Sequence, residues 1–402
     1  MPEYLAPGVF IEEIGVRSKP IEGVATDTTA LLGETERGPM QPRLVTGYDQ
    51  YLRLYGDVFA DGKYMPLGVK AFFDNGGRRC YIVRVVGEGA LPAVLEVEGL
   101  RIQAIGPGRW GNRVFVRITQ AGDASGSPGF RLQVAYYGDE ATAGLFDPFD
   151  ESNRDRGLSE PESIEDFVDL SLDPGSENHW RRRIADSALI TLEIPDGTTA
   201  WPPRADDVLG GWLSRGLDGA VPGALQFQGQ VDDTGNAIKD PEQLRGLAVL
   251  DLEPYDDVAI VHAPGIGNTD EATTAIQRAI VTHCEHNGFR FAILDAAPDL
   301  SADSDNRLDP RRTLDTQYGA FYYPWYYTPH PRDGTKTLVP PGGAVCGIYA
   351  QTDSRRGVWK APANVVVTGA IDLEHEIDKA RHELLNPRGV NCIRRLRGRG
   401  IR

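Results

Sequence analysis

Two near-continuous apolar runs, "DDVAIVHAPG" and "FRFAILDAAP", bracket a helical pattern within residues 257–297. Strands that are apolar at nearly every position are buried on both faces, the habit of a parallel sheet covered by helices. Between them, Ala272, Ala275, Ile276, Ala279, Ile280 and His283 recur on one helix face. Asn268 is placed to cap that helix, Glu271 holds the capping-box position and Gly288 ends it. The unit reads as βαβ, for which a right-handed crossover is expected, and it sets the fold class as α/β (α+β).

The flanking sequence extends this core. "TDTTALLGETERGP" reads as a buried strand ending in a Gly-Pro turn, and "TGYDQYLRLYGD" as a helix with Tyr48, Tyr51, Leu52 and Tyr55 on one face. A second helix over about 64–74 ends at "NGG", and "RRCYIVRVV" is a strong strand. Beyond the βαβ unit, "AFYYPWYY" reads as one aromatic strand that Pro324 would put at an edge or bulge. A helix is expected from "VPPGGAVCGIYAQTD", its prolines suiting the first turn. A last amphipathic helix is marked by Leu373, Ile377, Ala380 and Leu384 and stops at Asn386-Pro387.

Residues 87–240 differ in character. "RIQAIGPGRWGNRVFVRITQ" and "GFRLQVAYYGD" read as strands joined by the loop "AGDASGSPG", followed by the acidic "SEPESIEDFVDLSLDPGSEN". The expected organisation is an arm and linker at 1–25, a core from 26–86 plus 241–402, and an inserted, mainly β domain at 87–240. The arm is "PGVFIEEIGVRSKPIEG": Val9, Phe10, Ile11 and Ile14 make a short strand with no adjacent partner, followed by a tether.

Charge and cysteine usage narrow the function. A net charge of -16 argues against a general binder of nucleic acid or anionic membrane. The four cysteines, Cys80, Cys284, Cys346 and Cys392, lack CxxC spacing, so a disulfide framework is not expected and a reducing compartment is. The first residues carry Glu3, Glu12 and Glu13 without an apolar signal region, and no run approaches the ~18 apolar residues of a membrane span.

Chemistry-like motifs are weak. In "THCEHNG", His283 and Cys284 fall toward the apolar face of their helix while His286 points elsewhere, so core packing outweighs a metal site. "HEIDKARHE" has Lys379 where a zincin helix needs its second histidine. "APGIGNTD" places glycines before a helix start, where anions bind, but lacks the rest of a phosphate fingerprint. His262 and Asp295 have no evident nucleophile to serve. The six aromatics of "FYYPWYY" suit sheet packing or a subunit contact better than base stacking. No catalytic residues, metal or cofactor are assigned; an α/β hydrolase-like enzyme and a metal-binding module stand as the alternatives. The end of the chain is basic, with Arg388, Arg394, Arg395, Arg397, Arg399 and Arg402 and no acid after Glu383, and a protein partner is favoured over nucleic acid.

Several segments together resemble one family. "YLAPGVFIEEI", "TTALLGETERGP", "FFDNGGRRCYIVRV", "GRWGNRVFVRI", "PPGGAVCGIYAQTDSRRGVWKAPAN" and "LNPRGVNCIRR" are similar to the sheath protein of contractile phage tails and related contractile injection systems. "RGVWKAPAN" is the most specific, and the insert matches least beyond "GRWGN". The resemblance implies a structural, non-enzymatic subunit, stacked helically as six-membered rings around an inner tube protein. Contraction, triggered at the baseplate, would drive the tube through a target envelope. Baseplate and terminator proteins are implied partners, with neither nucleic acid nor membrane insertion. The implied location is the bacterial cytoplasm during assembly, then the virion tail or injection particle.

It further implies that Val9, Phe10, Ile11, Glu12, Glu13 and Ile14 form a strand donated to a neighbour's sheet, with Gly15, Arg17 and Pro20 in the hinge linker. Arg394, Arg395, Arg397 and Arg399 are the tube-facing candidates. Relatives continue past a segment like "RGRGIR", so an incomplete core, or a second sheath subunit, is expected.

Overall fold

The computed structural model describes residues 26–122, 128–139, 146–150, 160–195, 208–232, 234–302 and 306–402. The arm calls on Val9 to Ile14 and on Gly15, Arg17 and Pro20 lie outside them.

A seven-stranded sheet organises the core. Its strands are β1 (Thr28–Gly33), β2 (Arg43–Val45), β3 (Cys80–Arg84), β4 (Val258–Gly267), β5 (Phe291–Asp295), β6 (Gly319–Tyr323) and β7 (Val390–Cys392). Their order is β7-β6-β5-β4-β1-β3-β2, and every pairing is parallel except β2 with β3. The expected α/β core is therefore present.

Five helices matter to it: α1 (Tyr48–Tyr55), α2 (Met65–Asp74), α3 (Glu271–Asn287), α4 (Gly342–Arg356) and α5 (Lys379–Leu385). The period of two in each strand sorts side chains to opposite faces. Ala30, Leu32, Val261, Ala292 and Leu294 pack with Ile276, Ala279 and Ile280 of α3. Leu31, Ile260 and Ile293, one residue out of step, pack with Tyr51 and Tyr55 of α1, Phe72 of α2 and Val345 of α4. This two-sided cover is why the strand sequences are apolar throughout. Helices α2 and α4 approach through glycine: a Cβ on Gly343 would lie 2.5 Å from the Gly68 carbonyl oxygen.

Three local readings are corrected. Asp270, not Asn268, caps α3, its carboxylate accepting the Thr273 N–H at 2.9 Å. Asn268 instead accepts the Ala297 N–H and donates to the Arg307 carbonyl, tying two loops together. The aromatic run is two strands: β6 sits between β5 and β7 inside the large sheet, and Tyr326–Pro329 belongs to a separate three-stranded sheet. Pro324 has no N–H to give a ladder, and the chain changes sheets there. The helix expected from Leu373 starts only after Asp378, whose carboxylate accepts the Arg381 N–H; Leu373 pairs in a strand, and Leu385, not Leu384, is buried.

Residues 93–213 carry two antiparallel sheets around their own core, including Trp110, Val116, Leu132, Leu170, Ile190 and Leu213. The larger sheet runs in the order Val208–Trp212, Val114–Gly122, Pro128–Tyr136, Ser163–Leu170.

A polar joint fastens this region to the core. The Glu36 carboxylate accepts from Tyr136 Oη at 2.6 Å, Arg113 Nη2 at 3.4 Å, Arg37 Nη1 at 3.3 Å and the Asp57 N–H at 3.2 Å. The Arg37 and Arg113 guanidinium groups lie 4.8 and 5.2 Å from the Tyr136 ring centre. Beside them, Arg84 reaches from the end of β3 to the carbonyls of Gly38 and Pro107 at 2.9 and 2.7 Å. Burial lowers its pKa to about 10.

Candidate functional site

The basic end of the chain is built into the core. Ile393 and Ile401 are buried, and their hairpin pairs Arg395 with Ile401 and Leu396 with Gly400. The Val367 N–H donates to the Ile401 carbonyl at 2.9 Å, and Arg402 Nη1 to the Asn364 carbonyl at 2.8 Å. This hairpin and residues 361–367 therefore form two walls of one groove, about 420 Å³ in volume, with Asn391 and Cys392 of the outermost strand β7 also lining it.

The four tube-facing candidates divide into two pairs. Arg394 Nε donates to the Ile377 carbonyl at 3.1 Å, and its Nη1 lies 3.2 Å from His382 Nδ1. Arg395 donates to Glu376 at 2.7 Å and to Asp372 at 2.5 Å; those bonds, Glu376 first, push its pKa up. Arg397 and Arg399 are exposed and make no ion pair among the described residues. An arginine already holding two carboxylates adds little field outside the chain; Arg397 and Arg399 keep theirs.

Sequence reasoning missed a second group of exposed cations. Arg355 and Arg356 close the last turn of α4, where a cation suits the helix dipole, and both are exposed. Val358 is 65% exposed and Trp359 80%, and the ammonium of exposed Lys360 donates to the Ala361 carbonyl. All of these but Arg355 fall in "RGVWKAPAN". The legible signal was a Trp between cations just past a helix end.

The enzyme-like groups are sealed. His262 and Asp295 do meet, Nε2 to Oδ2 at 3.6 Å, but both are 0% exposed. Asp295 accepts the Gly342 N–H at 2.7 Å and so caps α4, while His262 Nδ1 lies 2.9 Å from the Ile293 carbonyl. Burial raises the Asp295 pKa. The start of α4 packs directly on the imidazole, since a Cβ on Gly342 would sit 2.1 Å from His262 Cε1. In the "HCEH" motif the His283 ring nitrogens face Arg290 Nη1 at 2.7 Å and Asp251 at 3.6 Å. Buried Cys284 has its thiol pKa pushed up to about 12 by burial, and His286 is exposed. These are packing roles.

Residues 237–402 match the phage tail sheath protein central domain. The seven-stranded sheet, α3, α4 and the basic hairpin fall largely within or against it. No curated protein sequence matches the chain. Among solved structures, the sheath tail protein of Listeria innocua is similar at a TM-score of 0.53 and 14% identity, covering 93% of this chain and 67% of that one. The sheath tail protein of Desulfitobacterium hafniense gives a TM-score of 0.50 at 14% identity, covering 98% and 73%. At such identities the shared property is the fold, a sheath fold. The anti-feeding prophage helical sheath in its contracted state aligns at a TM-score of 0.45 and 16% identity, over 98% of this chain. The chain spans 66% of the length of that sheath protein.

Proposed function

We propose that the protein is a structural subunit of a contractile tail sheath, polymerising around an inner tube and shortening to drive the tube through a target envelope. The supporting observation is the sheath central domain at residues 237–402, in a chain of sheath fold. Six-subunit rings stacked helically, the inner tube, baseplate and terminator proteins, and a second sheath subunit are the partners of this reading. Assembly takes place in the bacterial cytoplasm before the particle is released.

Val9, Phe10, Ile11, Glu12, Glu13 and Ile14 serve as the strand added to a neighbour's sheet, and Gly15, Arg17 and Pro20 as its hinge. Arg397 and Arg399 contribute most of the charge offered to the tube, since Arg394 and Arg395 are engaged within the chain. Electron microscopy of producing cells tests the function. Striated sheaths of two lengths that vanish on deletion of the gene, and fail to form when residues 1–20 alone are removed, support it. Sheaths indifferent to loss of the gene refute it.

A further inference from the structure

A chain of net charge -16 carries, just past the end of α4, a short segment of the opposite sign. Arg355, Arg356 and Lys360 are exposed cations without an ion pair among the described residues, and they flank exposed Val358 and Trp359 in one short segment. Setting these three aside, the rest of the chain has a formal charge of -19 (-16 minus 3). An exposed apolar centre with a charged rim has the anatomy of a protein contact.

The complementary anatomy lies in the β-rich region. Ser163–Leu170 is an edge strand of the larger sheet there, and its exposed side alternates with period two. Ile164, Asp166 and Val168 are exposed on that side, Ile164 to 57% and Val168 to 47%, and Glu160 and Glu162 just before the strand are exposed as well. Asp166 is held by Arg131 at 2.8 Å, whereas Glu160 and Glu162 have no ion pair among the described residues. This face is thus two aliphatic side chains beside three acids, of which Glu162 also feels the Arg332 charge, on a sheet edge with no further strand paired to it among the described residues.

We infer that the basic, Trp359-centred surface of one copy docks on this acidic strand face of a second copy, joining copies head to tail. The inference deepens the sheath reading by naming one contact between subunits. Like charges forbid the basic surface from meeting itself, so a two-fold pairing through it is disfavoured. A heterologous contact instead propagates, either closing a ring or winding a helix. Nucleic acid is the weaker partner because the rest of the chain repels it.

Two charge-reversed variants test this, R355E/R356E/K360E and E160K/E162K, each checked for folding by circular dichroism. Self-association is measured by sedimentation of the full chain. Each variant alone is expected to associate more than about tenfold more weakly than wild type. Their equimolar mixture is expected to recover association, since the acidic surface of one then meets the basic strand face of the other. Wild-type protein that stays monomeric, variants that associate like wild type, or a mixture that gains nothing overturns the inference. So does loss of binding to a 20-mer DNA duplex in the first variant with self-association intact. Striated sheaths in cells carrying either variant would refute this contact and leave the sheath function standing.

Discussion

The joint at Glu36 determines whether the core and the β-rich region move as one body. Glu36, Arg37 and Arg113 side chains are only 13%, 7% and 15% exposed, so their charges are largely desolvated and depend on each other. Replacing Glu36 with Gln keeps the shape but leaves two guanidinium groups facing each other across Tyr136. Breaking a buried pair from one side costs about 3–5 kcal/mol. Tyr136→Phe keeps the ring under both guanidiniums and removes only the hydroxyl, which lies 2.6 Å from Glu36 and 2.8 Å from Arg113. A hydrogen bond to a charged group contributes about 1.5–3 kcal/mol. Burial, then the Glu36 charge, keeps that phenol's pKa raised, so it remains a donor at any working pH. Urea unfolding followed by tryptophan fluorescence reads the effect, because Trp110 packs edge-on to Tyr136 with ring centres 6.1 Å apart. The two substitutions should be strongly non-additive, Tyr136→Phe costing less once Glu36 is Gln. A Glu36→Gln loss within about 0.5 kcal/mol, as at ordinary surface sites, refutes this account of the joint.

Two further outcomes are expected within the core. Burial holds His283 at a pKa of about 4, below the ordinary 6.5, with Arg290 also lowering it and Asp251 opposing. The unfolded chain therefore binds the proton first: stability from this group is complete above pH ~6.5 and declines toward pH ~4, by about 2–3 kcal/mol at pH 4.5. His283→Gln should flatten that window in denaturant titrations, and an unchanged slope counts against the reading. Gly342→Ala would press a methyl into the His262 ring and should cost about 1–3 kcal/mol as overpacking. Thermal unfolding that is unaffected, or that worsens additively when His262→Ala is combined with it, contradicts the predicted clash.

The core was legible because one physical constraint wrote itself into the sequence twice. Strands buried on both faces cannot alternate, so β4 and β5 announced a helix-covered parallel sheet before any contact was known. Helix ends were less legible because several polar residues compete for each cap. Asn268 and Asp270 are both good N-caps, and only the loop contacts to Arg307 and Ala297 decide between them. Leu373 and Ile377 kept helical spacing by coincidence, reaching the core from a strand and a loop instead. The basic surface was half legible. Its arginines were visible as a run, yet Arg394 and Arg395 are spent on His382, Glu376 and Asp372, partners met only in the folded chain. Arg355, Arg356 and Lys360 are exposed cations of a separate segment about forty residues earlier in the sequence.

Head-to-tail docking in so acidic a chain has a distinctive response to salt. At ~0.01 M ionic strength the screening length is about 30 Å, so whole-molecule repulsion between copies of charge -16 reaches across a subunit. At ~0.1 M it shrinks to about 10 Å; distant like charges fade while side chains in contact still attract. At ~1 M it is about 3 Å and the contact charges are screened as well, leaving the burial of Val358 and Trp359. Association of the wild-type chain should therefore peak near ~0.1 M salt rather than fall steadily. The R355E/R356E/K360E variant has only repulsion to lose, so its residual association should rise throughout. Sedimentation across this range separates the two curves. A wild-type profile that falls monotonically from the lowest salt would mean that local attraction already outweighs the net charge, and the balance argued from charge -16 would be wrong.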